Sequence, residues 1–320
     1  MLHRRHIVQH LAWGLASASL PLLGACSTGA APGTPTVTPS AARLAEWSTR
    51  WSLQLAALER RSGGRLGVSA AGGGLGATLG WREDERFALC STFKLLLAGW
   101  VLALVDRGQT TLAQRIHYPP SAMVPYSPVS APHAGQGGLT VAELCAATVV
   151  WSDNGAANVL LAQYGGPGAL TAFVRQLGDG VTRLDRWEPE LNSVPPGDVR
   201  DTTSPRAMRA STERLVWGDA LSPSSRAQLG QWLRACRTGD KRLRAGAPGW
   251  QVGDKTGTFE RDGLASDVAV LWPEQAGASS APLFIACYLE QSQGSGAERD
   301  ALIAEVARTV LAARAELRAF

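Results

Sequence analysis

From Leu95 to Val105 the chain is almost wholly apolar, and Asp106-Arg107-Gly108 closes the run. Such a run with a turn signal behind it predicts a buried helix, opened by Leu89-Cys90-Ser91-Thr92-Phe93-Lys94. Ahead of it, Leu44, Trp47, Trp51, Leu55 and Leu58 recur at helical spacing between Ala42 and Arg61 and predict a helix with one broad apolar face. Arg65 to Trp81 changes texture: the β-compatible pieces Leu66-Gly67-Val68-Ser69 and Ala77-Thr78-Leu79-Gly80 flank Ala71-Gly72-Gly73-Gly74 and predict a hairpin.

Beyond the apolar run the pattern stays helical to about Cys236, with pieces at Thr140 to Val150, Asn154 to Tyr164, Gly168 to Leu177, Ser204 to Val216 and Pro223 to Cys236. Two of these begin with Ser204-Pro205 and Ser222-Pro223, a capping hydroxyl ahead of a proline at the first helical position. After Gly249 strands return at Gln251 to Thr258, Ala265 to Trp272 and Pro282 to Leu289, and a helix from Gly296 to about Leu317 closes the chain. Strand-forming sequence at both ends of a helical middle implies an α+β fold, α/β in the broad sense. Its antiparallel sheet is flanked by terminal helices and carries an inserted all-helical subdomain. The expected sheet part is about 42–85 and 245–320, the helical part about 86–244. There is no internal repeat.

Composition fits this picture: 320 residues and 45% apolar content suffice for a real core. The formal charge of +4 includes Arg4 and Arg5 in a segment expected to be removed, leaving about +2. With no Lys/Arg cluster, nothing points to nucleic acid. The N-terminus has the parts of an export signal, residues 1–25: Arg4-Arg5, an apolar stretch from Ile7 to Leu23 broken by Gln9, His10 and Pro21, and small residues at Gly24-Ala25. Leu23-Gly24-Ala25-Cys26 resembles a bacterial lipobox, which would make Cys26 the lipidated first residue, and the paired arginines resemble a twin-arginine signal; the alternative is an ordinary secretory signal with Cys26 incidental. Residues 26–41, rich in Ser, Thr, Ala, Gly and Pro, read as a tether ahead of the body, 42–320. Cys90, Cys145, Cys236 and Cys287 have no metal-ligand spacing; buried free thiols are the simplest expectation, and an oxidising compartment would permit disulfides.

Ser91 and Lys94 stand three residues apart at a helix start, so hydroxyl and amine share a face. An apolar surrounding disfavours the charge on Lys94, and the pair reads as a nucleophile beside a proton acceptor. Alone it is weak: about one S-x-x-K match arises by chance in a chain this long, and a capping Ser with a snorkelling Lys looks the same. Three further stretches change the balance: Ser152-Asp153-Asn154 between two helical pieces, Arg186-Trp187-Glu188-Pro189-Glu190-Leu191-Asn192 opening a loop, and Lys255-Thr256-Gly257-Thr258 on a strand. Each has a bland alternative, a helix cap, a solvated carboxylate or an edge-strand charge. Together, in this order, they have a chance expectation of roughly 10⁻⁴ to 10⁻⁵.

The ordered set resembles the class A serine β-lactamases, within the wider penicillin-recognising acyl-serine transferases, from about Ala42 to the C-terminus. Only His117 and His133 remain after the signal, and neither stands in a motif, so a Ser-His-Asp triad is not expected; nor is a metal site or cofactor. The resemblance implies an active site between the two subdomains, hydrolysis of penicillins and cephalosporins through an acyl-Ser91 intermediate, and a monomer with a small-molecule substrate. It casts Lys94 or Glu188, acting through water, as acylation base and Ser152 as proton donor to the leaving nitrogen. Backbone N–H groups of Ser91 and Thr258 become the oxyanion hole, and Lys255, Thr256 and Thr258 the carboxylate-binding groups. Asn154 is placed on the substrate side, Asn192 beside the hydrolytic water, Tyr126 at the mouth, and Arg186 with Asp201 as a salt bridge across the loop, with Glu188-Pro189 a candidate cis bond. Arg242 resembles an arginine that assists carboxylate binding in some branches, although Arg244 could hold that register. One departure concerns spectrum. The carbapenem-hydrolysing branch pairs the cysteine before the nucleophile with another just after the strand motif; Phe259 stands there, so that disulfide cannot form. The near rival is a penicillin-binding transpeptidase lacking the Glu188–Asn192 arrangement, and the distant one a sensor acylated once.

Overall fold

The computed structural model describes residues 41–75, 78–273 and 281–318. The export signal, Cys26, most of the tether and Ala77 of the expected hairpin lie outside them, as does the Leu44 side chain. The elements run α1 (Ala41–Ser62), β1 (Arg65–Gly72), β2 (Leu79–Trp81), β3 (Phe87–Ala88), α2 (Phe93–Asp106), β4 (Arg115–Ile116), β5 (Leu139–Thr140), α3 (Val141–Val150), α4 (Asn154–Tyr164), α5 (Gly166–Gln176), β6 (Thr202–Thr203), α6 (Pro205–Val216), α7 (Pro223–Arg234), β7 (Trp250–Phe259), β8 (Leu264–Pro273), β9 (Leu283–Glu290) and α8 (Gly296–Arg318).

The main sheet has the order β2-β1-β9-β8-β7, every neighbouring pair antiparallel. Side chains alternate between faces along each strand. Val268, Val270, Phe284, Ala286 and Tyr288 enter the core shared with α2 and the helical part, whereas Ala269, Leu271, Ile285, Cys287 and Leu289 enter the core under α1 and α8. Both faces are covered, which is why β8 and β9 read as nearly continuous apolar runs. On the outer layer Trp47, Trp51, Leu55 and Leu58 of α1 meet Ile303, Val306 and Val310 of α8 over the sheet.

Strand β1 runs three residues past the expected hairpin piece, because Ala70, Ala71 and Gly72 still pair with Ile285, Phe284 and Leu283 of β9. The turn follows at Gly72, Gly73 and Gly74, all with positive φ, a conformation that glycine adopts without cost. Helix α2 is buried from Phe93 to Ala103, and each large aliphatic side chain so buried contributes about 1.5–3 kcal/mol. Ser204 and Ser222 accept from Ala207 N and Ser225 N as helix caps, each with proline behind it. Thr140 and Glu143 form a reciprocal capping box on α3. Helix α5 starts two residues before the expected Gly168, since Gly165 ends α4 in the left-handed region and Pro167 fits the first turn that follows. The pairings β3–β6 and β4–β5 had no counterpart in the pattern, because two residues cannot show a period.

Candidate active site

Ser91 lies in a single tight turn, Cys90–Thr92, that leads into α2. Leu89 N–H donates to Asp201 O at 2.9 Å, and the Thr92 hydroxyl donates to Leu89 O at 2.6 Å while lying 3.0 Å from the buried Tyr288 hydroxyl. The turn holds Cys90 at φ +42°; Ser152, Tyr126 and Asp201 are likewise non-glycine residues at φ between +54° and +62°. Such positions cost about 1–3 kcal/mol each and persist only where surrounding contacts over-determine them. Here they gather around one cleft.

Lys94 is fully buried one helical turn on. Its Nζ lies 3.0 Å from Ser91 Oγ, 3.0 Å from Glu188 Oε1, 2.8 Å from Ser152 O and 2.5 Å from Asn154 Oδ1. Burial pushes its pKa below the usual lysine range, opposed by the Glu188 carboxylate. Ser152 follows α3, and its hydroxyl sits between two amines, 3.5 Å from Lys94 Nζ and 2.9 Å from Lys255 Nζ. Asp153 makes that arrangement rigid: it caps α4 through Ala156 N and accepts from Val129 N, Ser130 N and Ser130 Oγ at 2.6–2.8 Å. The next residue, Asn154, reaches Pro125 O through Nδ2 and Tyr126 O through its backbone N–H. Tyr126 is thus tied in by its main chain while the residue as a whole is 59% exposed.

The Glu188 loop comes from the other side. Arg186 Nε donates to Asp201 Oδ2 at 2.6 Å, and Asp185 N and Arg186 N donate to Asp201 Oδ1 at 2.7 and 2.9 Å, closing the loop on a fully buried carboxylate. Within it the Glu188-Pro189 peptide bond is cis. Glu188 Oε1 lies 3.3 Å from Ser91 Oγ, and Asn192 Nδ2 donates to Glu188 Oε2 at 2.6 Å. Sequence reasoning missed Asn158, which holds the Glu188 backbone from both sides: its Nδ2 donates to Glu188 O at 2.9 Å and its Oδ1 accepts from Glu188 N at 3.1 Å. The signal was present, since Asn158 stands four residues after Asn154 on the same face of α4.

Strand β7 forms the remaining wall. Lys255 pairs with Val268, whose side chain enters the helical-side core, so Lys255 points toward Ser152 although β7 is an edge strand. Complete burial lowers its pKa to about 8, and the neighbouring Lys94 charge acts in the same direction. Gly257 permits the contact with the nucleophile turn: a Cβ there would lie 2.5 Å from Ser266 Oγ, 3.0 Å from Cys90 Cβ and 3.1 Å from Leu89 O. Arg242, not Arg244, reaches the end of the strand. It donates to Gly257 O, Ser266 O and Thr258 Oγ1 at 2.8–2.9 Å and pairs with Asp300 at 2.7 Å, while Arg244 binds the buried Asp254 at 2.5 Å. All four cysteines of the described residues are free and buried, and Phe259 packs in the same apolar cluster as Cys90. A cavity of about 1050 Å³ lies on the far side of the Glu188 loop, lined by Ala88, Val194, Pro195 and Leu264 among others; neither Ser91 nor Lys94 borders it.

A serine within hydrogen-bond reach of both a buried lysine and a carboxylate, between an antiparallel sheet and a helical layer, is the arrangement that an acyl-serine enzyme needs. The model of the β-lactamase enzyme family matches residues 51–313, and the chain belongs to that family. It is similar to the carbapenem-hydrolysing β-lactamase KPC of Klebsiella oxytoca, 48% identical over 257 residues that cover 80% of this chain and 86% of that protein. It is also similar to β-lactamase FAR-1 of Nocardia farcinica, 45% identical over 299 residues, 93% of this chain and 94% of that protein. The structure of a class A β-lactamase reconstructed as the last common ancestor of Gram-negative bacteria superposes with a TM-score of 0.78 at 58% identity, over 82% of this chain and 98% of that one. The chain is a class A β-lactamase, a β-lactam hydrolase.

Proposed function

We propose that Ser91 attacks the β-lactam carbonyl, that the ring C–N bond breaks as Ser152 protonates the departing nitrogen, and that a water activated by Glu188 and held with Asn192 hydrolyses the acyl-serine. Lys94 and Glu188 both lie within hydrogen-bond reach of Ser91 Oγ, so the proton lost by the nucleophile has a direct acceptor in either. Backbone N–H groups of Ser91 and Thr258 serve the developing oxyanion, each such donor being worth about 3 kcal/mol. Lys255, Thr256 and Thr258, with Arg242 behind Thr258, receive the substrate carboxylate, and Tyr126 flanks the mouth.

The observation that carries hydrolysis, rather than acylation alone, is Glu188 clamped at its side chain by Asn192 and at its backbone by Asn158, 3.3 Å from the nucleophile. A transpeptidase or a once-acylated sensor has no use for a carboxylate so placed. With a modest excess of benzylpenicillin, the intact protein is expected to consume many equivalents and return to its free mass. Glu188→Ala is expected to accumulate the Ser91 adduct, release slowing far more than formation; rapid release from that variant would refute the role.

Penicillins and cephalosporins are the proposed substrates. Carbapenem hydrolysis, the activity in one relative's name, is left out of the proposal: Phe259 packs beside Cys90, at the place where the disulfide that the resemblance assigns to that branch needs a cysteine. Export, attachment through Cys26 and a monomeric state belong to this proposal on sequence grounds. No helix among the described residues is long and apolar enough to cross a membrane. The mass of the mature N-terminus tests the anchor: a diacylglyceryl group on Cys26 is expected, and an unmodified N-terminus at another residue overturns it.

A further inference from the structure

Thr238 stands in none of the motifs. It lies in the turn after α7, seated between the two halves of the site. Arg237 N–H donates to Val150 O at 3.0 Å, two residues before Ser152. Gly239 approaches Asp254 so closely that a Cβ on it would fall 1.4 Å from the Asp254 Oδ2 atom, so the turn is fitted to the start of the strand that carries Lys255. Held this way, Thr238 Oγ1 lies 2.6 Å from Thr256 Oγ1 and 3.3 Å from Cys236 Sγ.

The direction of these hydrogen bonds follows from the chemistry at their ends. A carboxylate only accepts, so Thr256 can hold one only by donating its proton. Its own oxygen is then free to accept, and Thr238 is the hydroxyl within reach. The buried Cys236 thiol, with its pKa raised chiefly by burial, stays protonated and has the Asp254 carboxylate as a stronger acceptor than the Thr238 hydroxyl 3.3 Å away. The neighbouring threonine has the same arrangement: Arg242 Nη2, which can only donate, gives to Thr258 Oγ1 at 2.8 Å and turns the Thr258 proton elsewhere. Lys255 meanwhile divides its ammonium protons between Ser152 Oγ and Thr256 O, 2.9 and 2.8 Å away.

We propose that Thr238 is a specificity-determining positioning residue: by donating to Thr256 Oγ1 it turns the Thr256 hydroxyl toward the carboxylate of the bound β-lactam, as Arg242 does for Thr258. This rests on the reading of Lys255, Thr256 and Thr258 as the carboxylate pocket. The test compares kcat/KM for benzylpenicillin with that for its neutral methyl ester. Thr238→Val is expected to lower the acid-to-ester ratio about fivefold, the change lying in KM, as for the loss of one ordinary hydrogen bond. Thr238→Ser is expected to restore the ratio to within about twofold. An equal loss for acid and ester marks Thr238 as structural support only and overturns the proposal, as does no loss for either. Thr256→Val separates the two readings: a fall in the ratio there without one in Thr238→Val defeats this inference alone, whereas no fall in Thr256→Val removes the carboxylate pocket and the proposal with it.

Discussion

Lys94 Nζ meets four oxygens, those of Ser91, Ser152, Asn154 and Glu188, within 2.5–3.0 Å. An ammonium has three hydrogens to place among them, so the fourth contact is electrostatic or shared. That crowding keeps the buried amine, the nucleophile and Glu188 in one connected set, where a proton can move without any side chain travelling far. Lys255, fully buried with fewer partners, is the group whose titration is expected to be visible. With its pKa lowered to about 8, it is a cation below that pH and loses the charge as pH rises through it. The kcat/KM for a carboxylate-bearing penicillin is therefore expected to decline above about pH 8. In Lys255→Arg, whose guanidinium stays charged, the decline should move to higher pH; an unmoved decline would assign it to another group.

Among the elements, β7 and the turn before α2 decide the geometry, and Gly257 sets how closely they approach. Adding one carbon there meets the Ser266 hydroxyl first, at 2.5 Å, and then the Cys90 Cβ and the Leu89 carbonyl at 3.0 and 3.1 Å, neither of the latter two a flexible tip. Gly257→Ala is expected to cost about 1–3 kcal/mol through overpacking. Because two of the three crowded atoms, Cys90 Cβ and Leu89 O, belong to the nucleophile turn or the residue before it, kcat/KM should fall about tenfold, which about 1.4 kcal/mol in the barrier suffices to produce. Measuring Tm and penicillin turnover on the same preparation checks this; a stability loss with unchanged turnover would place the strain elsewhere. The helices were legible residue by residue because capping and apolar spacing are local: Asn154–Tyr164 coincides with the expected piece, and Ser204 and Ser222 cap where their hydroxyls stand ahead of proline. The β3–β6 pair was not legible, although its Phe87-Ala88 strand leads into the nucleophile turn and its Thr202-Thr203 strand follows Asp201.

For the molecule as a whole, the helical-side core is built from α2, α3 and α4 together with Val268, Val270, Phe284, Ala286 and Tyr288 of the sheet. The helical part cannot close this core without the sheet. Denaturant unfolding followed by tryptophan fluorescence and by residual β-lactamase activity is expected to give coincident transitions, and an early loss of activity with the core intact would count against that coupling. The order of the elements and the buried character of α2 and β8–β9 were determined in the sequence, because periodicity and capping are short-range properties; Ser91, Lys94, Ser152, Glu188 and Lys255 were marked there by motifs that resemble those of a known family. Tertiary structure alone decided that Arg242 rather than Arg244 reaches Thr258 and that Thr238 stands behind Thr256, and it made a clamp on Glu188 out of Asn158, which the sequence shows only as sharing a helix face with Asn154. Those contacts join residues on separate elements, and strand register, the left-handed residues at the turns and the close approach at Gly239 and Gly257 place them. No local pattern of apolar and polar residues encodes a distance across the fold.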